Sequence, residues 1–232
     1  MRRAIHVRRT LLTAFGAATL LGGGVLFLKA GFTSDPLPTR ARTIPSQCPP
    51  RTDRDYFFPP QQFDHSDTRR DRFKRESLSK LLRAGDVPSL SCGHMVDEAY
   101  RFVWITEWGR SRIVTIMRKD GTFTLNGVVI QRCKEPWRVE ARISKQLSRE
   151  DVEALRAALD AADFWWTPSW IPFDGICDWC ATWLIEGRSR AGYHVVNGVA
   201  PVATSLDEAS RIFLRLAALK IKDDEEPPST CR

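Results

Sequence analysis

Residues 181–196, ATWLIEGRSRAGYHVV, constrain the fold more than any other stretch. Residues 182–186 are Thr, Trp, Leu, Ile and Glu, mostly types that suit a pleated, half-buried surface. Residues 187–192 contain two glycines and read as a turn. Residues 193–196 are strand-like again, so the stretch predicts a β-hairpin. Side chains alternate along a strand. Trp183 and Ile185 therefore share one face, and Leu184 and Glu186 the other. On the second strand Tyr193 goes with Val195, and His194 with Val196. Pairing Glu186 with Tyr193 sends His194 away from the carboxylate, and a one-residue slip brings the two together. The sequence leaves that register open. Together, Glu186 and His194 would make a general-base pair. The competing reading is a carboxylate held at a strand end by an arginine or by backbone N–H groups. It is preferred, because no Ser, Cys or Asp nucleophile sits at a recognisable spacing.

Trp183-Leu184-Ile185-Glu186-Gly187, then Gly192-Tyr193-His194-Val195-Val196 and Pro201, form a block that resembles a family of uncharacterised bacterial envelope proteins. Ala99-Tyr100-Arg101-Phe102 with Trp104, and Phe164-Trp165 after a helix, are similar to earlier segments of that family. The likeness covers about residues 98–219. It implies an envelope location and brings no assigned activity. The family's Asp-Gly before the Trp block is replaced here by Trp179-Cys180, with Asp174-Gly175 a few residues earlier.

The 232 residues allow one ordinary domain plus extensions. The net charge of +7 is uneven. Residues 1–91 hold 16 basic against 8 acidic side chains, and residues 92–232 hold 19 against 20. A neutral C-terminal part argues against nucleic acid as partner.

Arg2, Arg3, Arg8 and Arg9 precede an uncharged run, a signal-peptide or signal-anchor pattern. Residues 11–28 come close to the roughly 20 residues that span a bilayer as helix. Lys29 and Phe32 interrupt the place for a cleavage site, so an uncleaved anchor is favoured over secretion after cleavage. The arginine excess predicts residues 1–10 in the cytoplasm and the bulk exported. The expected location is the inner membrane, single-pass, with the C-terminal domain periplasmic or extracellular. Arg8-Arg9 also resembles a twin-arginine export signal.

Residues 29–91 read as a Pro-rich and basic linker. Pro36, Pro38, Pro45, Pro49, Pro50, Pro59 and Pro60 prevent helix over residues 33–60. Tyr56, Phe57 and Phe58 are expected to dock onto the domain. Residues 66–83 can be helical, with Phe73, Leu78, Leu81 and Leu82 as a thin apolar stripe. Seven basic residues in this stretch suit an anionic membrane surface or partner. The preferred reading is a solvated connector.

Residues 92–222 are expected to fold as an α+β domain, an antiparallel sheet of about five to seven strands with two packed helices. The N-terminal membrane helix precedes it and an acidic tail, residues 223–232, follows. Strands are expected at 100–108, 112–119, 122–125, 128–132 and 137–143. Asp120-Gly121 and Asn126-Gly127 are the turn signals. Ser148 with Asp151 opens one helix, and Val152, Leu155, Leu159 and Ala162 share its inner face. Ser205 with Glu208 opens the last helix, with Leu206, Ala209, Ile212, Phe213, Leu216 and Leu219 inward. Of the eight tryptophans, Trp165, Trp166, Trp170 and Trp179 could line a glycan groove, although bulky core filler is the preferred role.

Six cysteines, Cys48, Cys92, Cys133, Cys177, Cys180 and Cys231, would all be exported, which favours disulfides. Cys177-x-x-Cys180 has redox spacing, but it runs into a predicted strand rather than a helix N-terminus. Cys92, His94, Cys177 and Cys180 could supply four zinc ligands if two distant segments converged. Neither is the preferred reading, and no cofactor is expected. The expected function is a membrane-tethered, exported domain that binds a protein, an envelope component or a glycan. The alternative is an exported thiol-disulfide or hydrolytic enzyme using Cys177/Cys180 or Glu186/His194.

Overall fold

Strands rich in β-branched and aromatic residues organise the molecule. The computed structural model describes residues 57–64, 66–92, 97–106, 109–171, 180–190, 192–199 and 204–219. The strands are β1 (Glu98–Ile105), β2 (Arg110–Lys119), β3 (Thr122–Gln131), β4 (Arg138–Gln146), β5 (Thr182–Ser189) and β6 (Gly192–Val199). They form one sheet in the order β4-β3-β2-β1-β5-β6, with every neighbouring pair antiparallel. The first four strands run outward as a meander. Helix α2 (Arg149–Ala161) then carries the chain back, and β5 pairs with the other side of β1. The expected α+β class and antiparallel sheet are present.

At the β2–β3 turn Asp120 and Gly121 both have positive φ, 51° and 81°. That is the backbone an Asp-Gly hairpin turn requires. Asn126-Gly127 is not a turn. Both residues lie inside β3 and pair with Thr115 and Val114 on one side, and with Ser144 and Ile143 on the other. The Asn126 side chain accepts from Ser144 Oγ at 2.9 Å, so it serves the sheet surface. The strands of the β5–β6 hairpin are likewise longer than expected and pair as far as Ser189 with Gly192.

One sheet face is covered by α2 and α3 (Asp207–Leu216). Val152, Leu155 and Leu159 of α2 and Ala209, Ile212, Phe213 and Leu216 of α3 meet Tyr100, Phe102, Val114, Ile116, Trp183, Ile185 and Val196 of the sheet. Ser148 caps α2, accepting from Asp151 N–H at 3.1 Å, as its sequence implies. The start of α3 differs by a residue. Asp207 accepts from the N–H and hydroxyl of Thr204, both at 3.2 Å, and neither Ser205 nor Glu208 makes the expected capping box.

The other face is covered by α1 (Thr68–Ala84) and the segments flanking it, so the α-helices number three among the described residues, not two. Phe58, Phe63, Leu78, Leu81, Leu82, Val87 and Leu90 are buried against Ala99, Val103, Ile113, Val128, Ile130 and Leu184. The folded part thus begins upstream of residue 92: Phe58 docks as expected, and the helix within residues 66–83, expected to be a solvated connector, packs on the sheet. The sequence disguised this because the inner face of α1 is half polar. Asp71, Arg75 and Ser79 are buried beside the leucines. Asp71 accepts from the N–H groups of Gln61 and Phe63 and from Arg75 Nε, each at 2.9 Å. Ser79 Oγ accepts from Phe57 N–H at 2.9 Å. The helix therefore supplies hydrogen-bond partners to the preceding irregular backbone, whose N–H groups would otherwise be buried unpaired.

No helix among the described residues is long and apolar enough to cross a membrane. The expected anchor at residues 11–28, the linker as far as residue 56 and the tail at 223–232 lie outside the described residues, as do His94 and Cys177.

Candidate functional site

The centre of the sheet holds a buried polar row. Cross-strand pairing sets Thr115 of β2 and Glu186 of β5 on either side of Arg101 of β1. Directly paired residues project from the same face, and here that face looks toward α1. Arg101 and Glu186 are both 0% exposed. Arg101 donates through one terminal nitrogen to Glu186 Oε2 at 2.8 Å and through Nε to Thr115 Oγ1 at 3.1 Å. Its other terminal nitrogen donates to the Pro88 carbonyl. Glu186 pairs with Val195 across the hairpin, which leaves Tyr193 diagonal to it on the same face. The Tyr193 hydroxyl donates to Glu186 Oε1 at 2.8 Å. Burial, reinforced by the neighbouring carboxylate, holds the Tyr193 hydroxyl well above the usual phenol range. It stays a donor at any ordinary pH.

A second arginine on this face continues the pattern. Arg188 donates to the carbonyls of Leu90 and Ser91 at 2.7 and 3.0 Å. Ser91 Oγ in turn donates to the Phe57 carbonyl at 2.6 Å. Two sheet arginines thus clamp the irregular backbone that joins α1 to β1. The chemistry of the set is charge-assisted hydrogen bonding in a dry interior, and it fastens one layer to another.

Glu186 and His194 do not form a pair. His194 lies opposite Gly187, on the sheet face away from Glu186. Its Nε2 is 2.9 Å from the Thr167 carbonyl, and its ring sits edge-on to Phe164 at 5.1 Å. Burial pushes the imidazole below its ordinary pKa, while the Thr167 carbonyl opposes that shift. Gly187 is obligatory at this corner for a steric reason. A Cβ there would lie 2.6 Å from the Phe164 ring. The Trp-Leu-Ile-Glu-Gly block is therefore explained by packing and by the buried row.

The tryptophans divide between layers. Trp165 packs with Phe164 and the helical face, and Trp166 is 51% exposed beside it. Trp170 bridges to Asn197 at the outer edge of β6, and Lys74 of α1 places its ammonium 3.0 Å from the indole centroid. Partial burial pushes Lys74 down to about 8, and the ring face offsets this by favouring the charged form. Trp179 lies outside the described residues.

Cys133 and Cys180 each belong to a disulfide. A bridged sulfur is not a thiolate ligand, so in this state Cys180 does not join the zinc set sketched from Cys92, His94, Cys177 and Cys180. No group of potential metal ligands occurs among the described residues. Cys92 is half-buried beside Ser91.

Arg101, Thr115 and Tyr193 were not singled out by sequence reasoning. One signal was there to read. Arg101 interrupts an apolar strand on the same face as Val103, and a charge in such a place calls for a buried partner of opposite sign. Glu186, in the same position on its own strand, is that partner. No family model, no curated protein and no solved structure matches this chain.

Proposed function

We propose that this chain is a membrane-tethered, exported α+β domain that acts by binding a protein or envelope component. The observation that carries the binding side of this reading is the fate of Glu186. The most suggestive carboxylate of the sequence has its oxygens committed to Arg101 and Tyr193, in a row that holds the α1 layer in place. Its supposed partner His194 faces the opposite way. Polar side chains that served as catalytic candidates are thus engaged in the fold, while the outer surface of α1 and Trp166 remain for contact.

The location rests on the basic, then apolar, N-terminus and the proline-dense stretch behind it. Bridged Cys133 and Cys180 suit an oxidising compartment. The resemblance of the Trp-Leu-Ile-Glu-Gly block to envelope proteins points the same way. Reporter fusions to the C-terminus of the full chain test this. Alkaline phosphatase should be active and green fluorescent protein dark. The reverse pattern, if it persists when Arg8 and Arg9 are replaced by Lys to close a twin-arginine route that would export folded fluorescent protein, would place the domain in the cytoplasm and end the proposal.

A further inference from the structure

The outer face of α1 combines two features that a purely structural helix does not need. Arg69, Arg72, Phe73 and Glu76 follow helical spacing on one stripe, opposite the buried Asp71, Arg75, Leu78 and Leu82. Phe73 is 68% exposed, the most exposed large apolar side chain among the described residues. Arg70 is paired with Asp64 and Asp67, and Lys80 with Glu135. Arg69 and Arg72 are exposed and have no acidic partner among the described residues. Glu76 is the one acid on the stripe. The helix therefore presents two exposed guanidinium groups around a protruding phenyl ring, with Glu76 on the same stripe.

We infer that this face rests on an anionic phospholipid surface, with Phe73 in the headgroup region and Arg69 and Arg72 on lipid phosphates. This deepens the tether reading given above and rests on it. Two observations select lipid over an acidic protein. First, the upstream chain joins the fold at α1 itself, because Phe57 N–H is held by Ser79 of that helix. Second, only residues 29–56 separate this junction from the apolar run that is expected to enter the bilayer. Fully extended, that segment reaches at most about 100 Å, so a membrane that holds the apolar run stays within reach of the α1 layer. A basic stripe around an aromatic residue is the composition that binds in the interface plane. Each guanidinium near an anionic surface strengthens contact roughly fivefold.

The full chain, carrying 4-fluorophenylalanine at position 73, is placed in phosphatidylcholine nanodiscs with and without phosphatidylglycerol. Both disc types contain a headgroup-spin-labelled lipid. The fluorine line should broaden at least fivefold more in the anionic discs. About 0.5 M NaCl should sharpen it, as should Arg69→Gln with Arg72→Gln. These are exposed positions, and an unchanged melting temperature verifies the fold. A line equally sharp in both discs, with the chain still bound to them, overturns the inference, because the face then does not rest on lipid. Equal broadening in both overturns it too, because the contact then owes nothing to charge. A chain that does not co-elute with discs at all refutes the tether reading, and the lipid assignment falls with it.

Discussion

Strand β1 carries an ion-paired residue on each of its faces, and the two pairs differ in almost every physical respect. On the α1 side, Arg101 and Glu186 have fully buried side chains. On the α2 side, Glu98 meets Arg156 of α2, with side chains 11% and 34% exposed. Arg156 Nε donates to Glu98 Oε1 at 2.6 Å, and the Tyr100 hydroxyl donates to the same carboxylate at 2.9 Å. The hydrogen bonds that Arg156 donates to Glu98 raise the Arg156 pKa above its usual value. Both clusters use a carboxylate, an arginine and a tyrosine. Only the first is sealed from water. Its charges have no solvent to fall back on, so the cost of breaking it is set by what is left unpaired rather than by the attraction itself.

The sharpest way to break this comparison is Glu186→Gln. It strands a buried guanidinium and should lower stability by about 3–5 kcal/mol, read as a urea midpoint shift. Arg101→Met combined with Glu186→Leu should recover much of the loss, since no charge is then buried alone. A double variant as unstable as the single one would mean the row is held by packing.

Tyr193→Phe comes next. It removes one donor from Glu186 Oε1 and should cost about 1–2 kcal/mol. Glu98→Gln, on the wetter side, should cost no more than about 1 kcal/mol, and the deficit should shrink in high salt. Finding Glu98→Gln as costly as Glu186→Gln would remove the distinction between the two faces.

The smallest effect concerns His194. Burial lowers its folded pKa below the ordinary 6.5. The unfolded chain therefore binds more protons in the window just below 6.5. Stability from this residue is fully present above that value and is lost as pH falls toward the depressed folded pKa. Thermal melts between pH 7.5 and 5.5 should decline, and His194→Gln should flatten the decline. An unchanged slope would mean that other groups govern it.

The α2–α3 face of the sheet was legible in the sequence and the α1 face only in part: the helix within residues 66–83 and the docking of Phe58 were expected, the burial of the helix against the sheet was not. Val152, Leu155 and Leu159, or Ile212, Phe213 and Leu216, recur at helical spacing, and the structure buries them. On α1 the inward positions alternate leucine with Asp71, Arg75 and Ser79. A pattern that looks solvated is buried because each polar group finds a partner, and no periodicity reports partners. The same limit applies to the candidate site. Glu186 was visible as a residue of interest, but its role depended on a register that the hairpin alone left open. Asn126-Gly127 misled for a related reason. A dipeptide suited to a turn lies in a strand that has neighbours on both sides.

Phe57 deserves a mechanical reading. Its N–H goes to Ser79, and its carbonyl receives the hydroxyls of Ser89 and Ser91. Tension arriving along the upstream chain would meet this three-hydroxyl fastening before it reached any strand. The load would then pass through the α1 layer to Arg101 and Arg188, so the sheet would take the pull across its face, through two arginine side chains, rather than along a strand.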